Sequence, residues 1–163
     1  MSTQQFYLRV PVEEDGIGIW ELVKSTKVLD LNSPYSYLML CKYFSDTCVV
    51  TEMDNKIVGF ISGFRSPADP TVLFIWQVAV DKSTLRRGLG LTMLKHLVKR
   101  NSNNPVHYLE ITVNPSNEAA YKLYRKLALE LDTSIEEIEC FPSHLFPGGQ
   151  HEKEILLRIG PLQ

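Results

Sequence analysis

The feature that most constrains the fold is a nearly continuous apolar run, TVLFIWQVAV, at residues 71–80. Such a run is typical of a central strand that is covered on both faces. It leads through a basic segment with two glycines into a stretch where apolar residues recur at helical spacing. A buried strand followed by an amphipathic helix predicts a layered arrangement of sheet and helices. The expected inward face of this helix comprises Leu89, Met93, Leu94, Leu97 and Val98.

The segment before this strand predicts one strand and two helices. FYLRV is a first strand, and residues 11–26 have an acidic first turn that favours a helix. Ser33 and Pro34 predict the start of a second helix, because serine caps a helix well and proline suits its first position. The expected inward face of the second helix comprises Tyr37, Leu38, Cys41 and Phe44.

Further strands lie on both sides of the central one. The sequence MDNK separates two apolar segments and has the composition of a hairpin turn. HYLEITV and EILLRI predict two later strands, and residues 114–131 predict a helix between them. The predicted order is strand, helices, three strands, helix, strand, helix, strand. It implies one domain over residues 1–163, with an α/β fold and a mixed, mostly antiparallel sheet flanked by helices.

Composition excludes several classes of protein. A net charge of -2 in 163 residues gives no indication of a nucleic-acid or membrane partner. Cys41, Cys48 and Cys140 are widely spaced, as expected for reduced thiols in a cytoplasmic protein. The four histidines form no close pair of metal ligands, so we expect no metal. The N-terminus lacks the pattern of a signal peptide, which also favours a cytoplasmic location.

The basic turn after the central strand is a candidate site for a phosphate-bearing ligand. A helix N-terminus presents unpaired N–H groups, and Gly88 and Gly90 allow close approach to the backbone. A Walker-type loop is excluded, because no lysine followed by Ser or Thr stands at the required spacing. In a dinucleotide-binding motif the third glycine position would hold Met93. An ordinary left-handed turn with solvated arginines is the remaining alternative.

The wider context resembles one family. QVAVDKSTLRRGLGLTML, followed by a strand and by NPSNEAAYKLYRKL, resembles the acetyl-coenzyme A site of the GNAT-type N-acetyltransferases. Gly88 and Gly90 match the glycine positions of the family pattern, whereas Leu85 stands where Gln or Arg is usual. KLALEL replaces the Gly-Phe that often follows the second helix. The resemblance implies the GNAT fold and acetyl-coenzyme A as co-substrate.

The resemblance also implies roles for individual residues. In the strand, backbone groups of Val78 and Val80, on either side of Ala79, would bind the pantetheine arm. Asn117 would contact the coenzyme, and Tyr124 would lie near the thioester sulfur as an acid for the leaving thiolate. Helix capping by Asn117, for which Ser116 competes, and core packing of Tyr124 are the structural alternatives. The amides expected to bind the pyrophosphate belong to Arg86, Arg87, Gly88, Leu89 and Gly90.

Stretches outside the coenzyme motif resemble a narrower group. DLNSPYSYL, VGFISGFRSP and HLFPGGQHEKEILLRIGP are similar to the L-2,4-diaminobutyrate acetyltransferases of ectoine biosynthesis. That resemblance implies transfer of acetyl to the γ-amine (N4) of diaminobutyrate by direct attack of the neutral amine on the thioester, and a homodimer. The alternatives are an acetyltransferase for another small amine or peptide and a non-catalytic coenzyme A-binding domain.

A small amino acid with two ammonium groups requires anionic partners and a donor for its carboxylate. Glu110 lies mid-strand and is the preferred residue to contact an ammonium group or, through water, to accept its proton as a catalytic base. Trp76 could form a pocket wall, and polar residues at the second helix start could bind the carboxylate. The structural alternatives are a solvated strand face for Glu110 and core packing for Trp76. For the residues at the helix start the alternative is capping, and for His151 and Glu152 it is exposure in a loop. The other candidate substrate-binding residues are Asp30, Asn32, Ser33, Tyr35, His151 and Glu152.

Overall fold

The computed structural model of the chain describes residues 5–100 and 103–163, which form seven strands and four α-helices. The strands are β1 (Tyr7–Arg9), β2 (Val49–Met53), β3 (Lys56–Arg65), β4 (Val72–Val80), β5 (Tyr108–Val113), β6 (Ser134–Phe141) and β7 (Glu154–Gly160). The helices are α1 (Gly16–Thr26), α2 (Pro34–Tyr43), α3 (Leu89–Arg100) and α4 (Glu118–Glu130).

The strands form a mixed sheet in the order β1-β2-β3-β4-β5-β7-β6. β4 and β5 are parallel, whereas β1 with β2, β2 with β3, β5 with β7 and β6 with β7 are antiparallel. The predicted α/β fold with a mostly antiparallel sheet is therefore confirmed. The edge strand β6 was not predicted, because its sequence SIEEIECF is acidic and largely exposed and lacks the alternation of a half-buried strand.

By density of contacts the chain divides into two units, of which the first comprises Met1–Phe64 and Trp76–Ser102. Its core lies between the helices α1 and α2 and the strands β2 and β3, and it is centred on Tyr37 and Phe60. The rings of these two residues meet edge to face, with centroids 6.0 Å apart. The hairpin turn predicted between β2 and β3 is present, with Asp54 and Asn55 in the left-handed region.

Two expectations for the first unit were wrong. The inward face of α2 consists of Tyr37, Leu40 and Cys41, whereas Leu38 and Phe44 are exposed. Since α2 is apolar on all sides, its sequence did not indicate which side faces the core. The strand β4 is not covered on both faces, because the side chain of Trp76 is 49% exposed.

The second unit comprises Arg65–Ile75 and Asn103–Gln163. Buried and half-buried residues alternate along β5 and β7, so that one face of this part of the sheet forms a core. Helix α4 contributes Tyr124, Leu127 and Ala128 to the buried residues of this unit. The opposite face of the two strands carries polar side chains, which include Glu110, Glu154 and Arg158.

Candidate active-site residues

The turn between β4 and α3 is held at its start by Asp81. The Asp81 carboxylate accepts hydrogen bonds from the backbone N–H and the hydroxyl of Ser83, at 2.9 and 2.7 Å. The Asp81 backbone N–H donates to the carbonyl of Val58 on β3 at 2.8 Å. The two hydrogen bonds from Ser83 hold the pKa of Asp81 below its usual value, with the Ser83 hydroxyl as the largest cause. The first part of the turn is therefore rigidly attached to the sheet.

The second part of the turn is open to solvent. Arg86 and Gly88 have left-handed backbone conformations, with φ of 67° and 73°. A Cβ on Gly88 would meet no atom within 4 Å, so this position is free on its outer side. Because Gly88 immediately precedes α3, the first N–H groups of the helix have no partner within it and carry the positive end of its dipole. This geometry suits an anion such as a pyrophosphate.

Packing beneath α3 fixes the direction in which its N-terminus points. Leu89 and Met93 are buried, as predicted. A Cβ on Gly59 of β3 would lie 2.9 Å from the Met93 sulfur, so glycine is needed for α3 to approach the strand this closely. The Arg87 guanidinium lies 4.3 Å from the centroid of the Phe6 ring, which adds positive charge beside the turn.

The end of β4 extends beyond its pairing with β5. The parallel register runs from Val72 opposite Tyr108 to Ile75 opposite Ile111, whereas β4 continues to Val80. Within the described residues, Trp76–Val80 thus have no partner in that register. The backbone groups of Val78 and Val80 on that side can accept an extended ligand, such as a pantetheine arm, as an additional strand would bind.

The segment before α2 is tied to β4 by a buried glutamine that sequence reasoning missed. Gln77 Nε2 donates to the carbonyl of Asp30 at 2.7 Å, and Gln77 Oε1 accepts from the Tyr37 hydroxyl at 3.1 Å. The Asn32 backbone N–H lies 3.4 Å from the same hydroxyl. Gln77 and Tyr37 thus bring the predicted acceptor residues to the strand that carries Val78. An uncharged polar residue within an apolar run was the available signal.

The predicted acceptor residues of the first unit differ in their surroundings. Ser33 caps α2, since its hydroxyl accepts from the Ser36 N–H at 3.3 Å. Asn32 Nδ2 is buried without a hydrogen-bond partner among the described residues. The side chains of Asp30, Tyr35 and Trp76 are exposed. Capping thus explains Ser33, whereas core packing does not explain Tyr35 or Trp76.

In the second unit, Glu110 forms an ion pair. Arg158 Nη1 lies 2.8 Å from Glu110 Oε2, and the two residues are directly opposite each other on β5 and β7. The guanidinium also lies 3.9 Å from the centroid of the Tyr108 ring. Arg158 was missed because the pairing of two strands distant in sequence cannot be determined from either strand alone.

Two polar contacts join the start of β7 and the residues just before it to the segment between β5 and α4. The Ser116 hydroxyl donates to Glu152 Oε2 at 2.5 Å. With its amide oriented to donate, Asn114 Nδ2 lies 2.7 and 3.3 Å from the two carboxylate oxygens of Glu154. Ser116 is therefore not the cap of α4, and Glu152 is attached to the predicted coenzyme-contacting segment.

Asn117 and Tyr124 both belong to α4, the first at its N-terminal cap and the second in its buried face. Asn117 is the cap of α4, because its Oδ1 accepts from the Ala120 N–H at 3.1 Å. Tyr124 is almost fully buried, and burial raises the pKa of its hydroxyl. A tyrosine in this state stays protonated at neutral pH and can serve only as a proton or hydrogen-bond donor to a developing anion.

His151 is also held in place. Its ring stacks on Phe146, with centroids 3.8 Å apart and planes inclined by 8°. Its Nδ1 lies 2.5 Å from the Glu152 carbonyl oxygen. The stack spans a turn in which Gly148 and Gly149 have left-handed conformations. His151 is thus fixed within its loop rather than freely solvated.

Clusters of metal ligands and membrane-spanning helices are both absent from the described residues. In residues 5–100 and 103–163, no three His, Cys, Asp or Glu side chains are grouped so that they could hold a metal ion. Over the same residues, each helix is too short or too polar to cross a membrane.

The sequence profile of the Acetyltransferase (GNAT) family matches residues 17–128. The protein belongs to this family of acetyltransferases. Solved structures with little sequence similarity share the fold, among them the ribosomal-protein-S18-alanine N-acetyltransferase from Escherichia coli. That structure has a TM-score of 0.74 at 17% identity, and the alignment covers 98% of this chain and 96% of the Escherichia coli chain.

Closer relatives are more specific. The chain is 48% identical over 153 residues to the L-2,4-diaminobutyric acid acetyltransferase of Halalkalibacterium halodurans, covering 93% of this chain and 80% of the relative. It is 45% identical to the enzyme of the same name from Marinococcus halophilus, covering 93% and 87%. The diaminobutyrate acetyltransferase EctA from Paenibacillus lautus, solved with L-2,4-diaminobutyric acid and coenzyme A, has a TM-score of 0.93 at 42% identity, covering 98% and 96%.

Proposed function

We propose that this protein transfers the acetyl group of acetyl-coenzyme A to the γ-amine (N4) of L-2,4-diaminobutyrate, which is the acetylation step of ectoine biosynthesis. The observation that carries the proposal is the likeness to the Paenibacillus lautus enzyme, with a TM-score of 0.93 and 42% identity over nearly the whole chain. That enzyme was solved with its substrate diaminobutyric acid and with coenzyme A.

The first unit supports the coenzyme roles. The end of β4, beyond its register with β5, offers backbone groups of Val78 and Val80, beside Ala79, to a pantetheine arm. The open turn offers the amides of residues 86–90 to a pyrophosphate, and Gly88 leaves the approach clear. Recognition through amides explains why Leu85 can replace the usual Gln or Arg. Residues 1–163 would constitute one acetyltransferase domain.

The reaction requires a neutral amine and a stabilised leaving group. The amine attacks the thioester carbonyl carbon and forms the C–N bond, and its nitrogen then gives up one proton to water or a base. The C–S bond breaks, and the sulfur leaves as a thiolate that takes up a proton. Tyr124 suits the role of hydrogen-bond donor to the leaving thiolate, because burial raises its pKa and keeps the hydroxyl protonated. Asn117 retains its amide N–H groups for the coenzyme, since its oxygen is used in capping α4.

The acceptor roles are supported by charge and by position. Asp30, Asn32, Ser33 and Tyr35 surround a helix start at which backbone N–H groups can bind the substrate carboxylate. Trp76 lies next to Gln77 on the same strand and offers a half-exposed indole as a pocket wall. Glu110, His151 and Glu152 carry the polar groups proposed for the ammonium side, and Glu110 does so as part of an ion pair.

Because the substrate amine has a pKa near 10, it is mostly protonated at neutral pH, and acetylation needs its neutral form. Carboxylates stabilise the ammonium form and therefore oppose attack. We accordingly assign the carboxylates to the α-ammonium and expect the γ-amine in less anionic surroundings. We propose a homodimer, as the resemblance of the sequence implies, and we infer a cytoplasmic location from the use of coenzyme A and from the three free thiols.

The test is release of free thiol from acetyl-coenzyme A with diaminobutyrate, ornithine, lysine and a polyamine in parallel, with identification of the product by mass and NMR. We expect diaminobutyrate to be the preferred acceptor and N4-acetyl-diaminobutyrate to be the product. Preference for another amine would show that diaminobutyrate is not the substrate. Coenzyme binding without turnover of any amine would contradict the enzymatic function.

A further inference from the structure

Helix α2 is apolar on two opposite sides. One side, Tyr37, Leu40 and Cys41, is buried in the core. The other side, which we name the α2 outer face, is solvent-exposed. Apart from Lys42, which lies on the same side, this face is apolar, and a contiguous exposed apolar patch of this kind marks an interaction surface. The α2 outer face consists of Tyr35, Leu38, Met39 and Tyr43, which are 70%, 43%, 36% and 64% exposed.

The arrangement of the α2 outer face is symmetric. Tyr35 precedes Met39 by four residues and Tyr43 follows it by four, so all three lie on one side of the helix. Read in either direction along the helix, this row presents tyrosine, methionine, tyrosine, with Leu38 and Lys42 beside it. Contact across a two-fold axis requires a surface that is complementary to itself. Two antiparallel α2 helices crossing at Met39 meet this requirement, because each Tyr35 would oppose Tyr43 of the partner subunit.

Charge and area also agree with self-association. The charged side chain of α2, Lys42, lies 3.7 Å from Glu13 and 5.6 Å from the Tyr43 ring centroid. In an antiparallel pair the two lysines would lie on opposite sides of the axis, each near an aromatic ring of the other helix. With roughly 200 Å² for a large side chain, the outer face and the neighbouring Phe44 expose on the order of 500 Å². This area is more than half of the roughly 800 Å² that each partner contributes to a standard interface.

We propose that the α2 outer face is the contact between two copies of this chain, on a two-fold axis at Met39. The inference rests on the homodimer of the proposed function and specifies its surface. It also connects assembly with acceptor binding, because Ser33 and Tyr35 begin the same helix. Dimer formation would cover Tyr35 from the outer side and hold the first turn of α2, at which the substrate carboxylate is proposed to bind.

The first test measures the oligomeric state of the full chain by sedimentation velocity over a range of concentrations. Met39→Glu and Tyr43→Glu place a carboxylate in the α2 outer face, and we expect each to weaken dimerisation by at least 100-fold. The matched control is Leu129→Glu on α4, because Leu129 is 78% exposed and lies in the second unit. We expect this variant to remain as dimeric as the wild type. A monomeric wild type, or an unchanged dimer in both α2 variants, would overturn the proposal.

The second test locates the axis. In a Cys140→Ser background the remaining native thiols, Cys41 and Cys48, are buried. Met39→Cys in that background should form a disulfide-linked dimer on mild oxidation, because the two sulfurs would meet at the axis. Leu129→Cys is the matched control and should stay monomeric under denaturing, non-reducing electrophoresis. Equal cross-linking at both positions would show that the two-fold axis does not lie at Met39. Neither test depends on turnover, so the sedimentation and cross-linking results can be interpreted even if the acetylation assay fails.

Discussion

Glu110 and Arg158 face each other across β5 and β7, with Arg158 Nη1 2.8 Å from Glu110 Oε2. The two side chains are 20% and 30% exposed, so the pair is in part shielded from solvent. An ion pair presents an oriented oxygen to a ligand but little net negative charge. Glu110 is therefore suited to orient an ammonium group by a hydrogen bond, and less suited to attract it over a distance.

Replacement of Glu110 by Gln should lower kcat/KM for diaminobutyrate by about 10- to 100-fold, since a charge-assisted hydrogen bond to the substrate is lost. Selectivity for N4 over N2 should decline as well, because the α-ammonium would be held less firmly. Product ratios by NMR, together with initial rates, measure both effects. Arg158→Lys is the control that retains a cation opposite Glu110. If Glu110→Gln keeps the wild-type rate and selectivity, Glu110 does not contact the substrate.

Tyr124→Phe should reduce kcat by about 100-fold and change the KM for acetyl-coenzyme A little, because only the leaving thiolate loses its donor. Since burial raises the pKa of Tyr124, its hydroxyl remains protonated through alkaline pH. The wild-type rate should accordingly rise with pH, as the amine loses its proton, and show no decline up to about pH 10. A descending limb near pH 8 that disappears in Tyr124→Phe would contradict this assignment.

Gly88→Ala should raise the KM for acetyl-coenzyme A by about tenfold or more, because a Cβ would intrude where the pyrophosphate approaches the backbone. Gly148 is a matched control, since both glycines have left-handed φ, 73° and 85°, and open space around a Cβ. Either substitution should cost about 1–2 kcal/mol in the free energy of unfolding through backbone strain. Thermal unfolding and saturation kinetics separate the two effects. Equal KM values for both variants would show that the turn does not contact the coenzyme.

Gln77→Leu should raise the KM for diaminobutyrate and leave the KM for acetyl-coenzyme A nearly unchanged. The substitution removes the bonds from Gln77 to the Asp30 carbonyl and to the Tyr37 hydroxyl, so the segment before α2 loses its anchor. Thr51→Val is the control, because Thr51 is equally buried and its Oγ1 has no partner among the described residues. We expect that variant to retain both KM values. An unaltered diaminobutyrate KM in Gln77→Leu would indicate that the segment is positioned by other contacts.

Acid should destabilise the fold through Asp15. Burial acts to raise the pKa of this carboxyl, but hydrogen bonds from Arg9 and from the Val12 N–H lower it below its usual value. A lowered pKa stabilises the folded state above the unfolded pKa of about 4, and the contribution is lost as pH falls through the folded pKa. Asp15→Asn should cost roughly 1–3 kcal/mol near neutral pH and make the free energy of unfolding less dependent on pH below about pH 4. Urea titrations at several pH values measure this, and an unchanged slope would contradict it.

Local patterns were sufficient for most of the fold. The Ser33-Pro34 start of α2, the hairpin at Asp54 and Asn55, and the buried face of α3 each depend on neighbours within a few residues. The edge strand β6 was missed, because it is stabilised by pairing with β7 rather than by its own apolar pattern. The orientation of α2 was wrong for a related reason, since both sides of that helix are apolar.

The candidate site was predictable to the extent that it consists of main chain. The turn at Gly88 has a local signature, whereas the partners of Glu110, Glu152 and Asp30 come from distant segments. Arg158, Ser116 and Gln77 each form a contact across at least 36 positions of sequence. Such contacts follow from strand register and loop packing, which no single stretch of the chain encodes.

The end of β4, beyond its register with β5, has a consequence for how such enzymes diverge. Main-chain amides and carbonyls are present whatever the side chain, so mutation at Val78, Val80 or Leu85 leaves the groups proposed to bind the coenzyme in place. In the proposed function the acceptor, by contrast, is recognised by side chains. A lineage of such proteins can therefore exchange one amine for another by single substitutions while its acetyl donor stays constant.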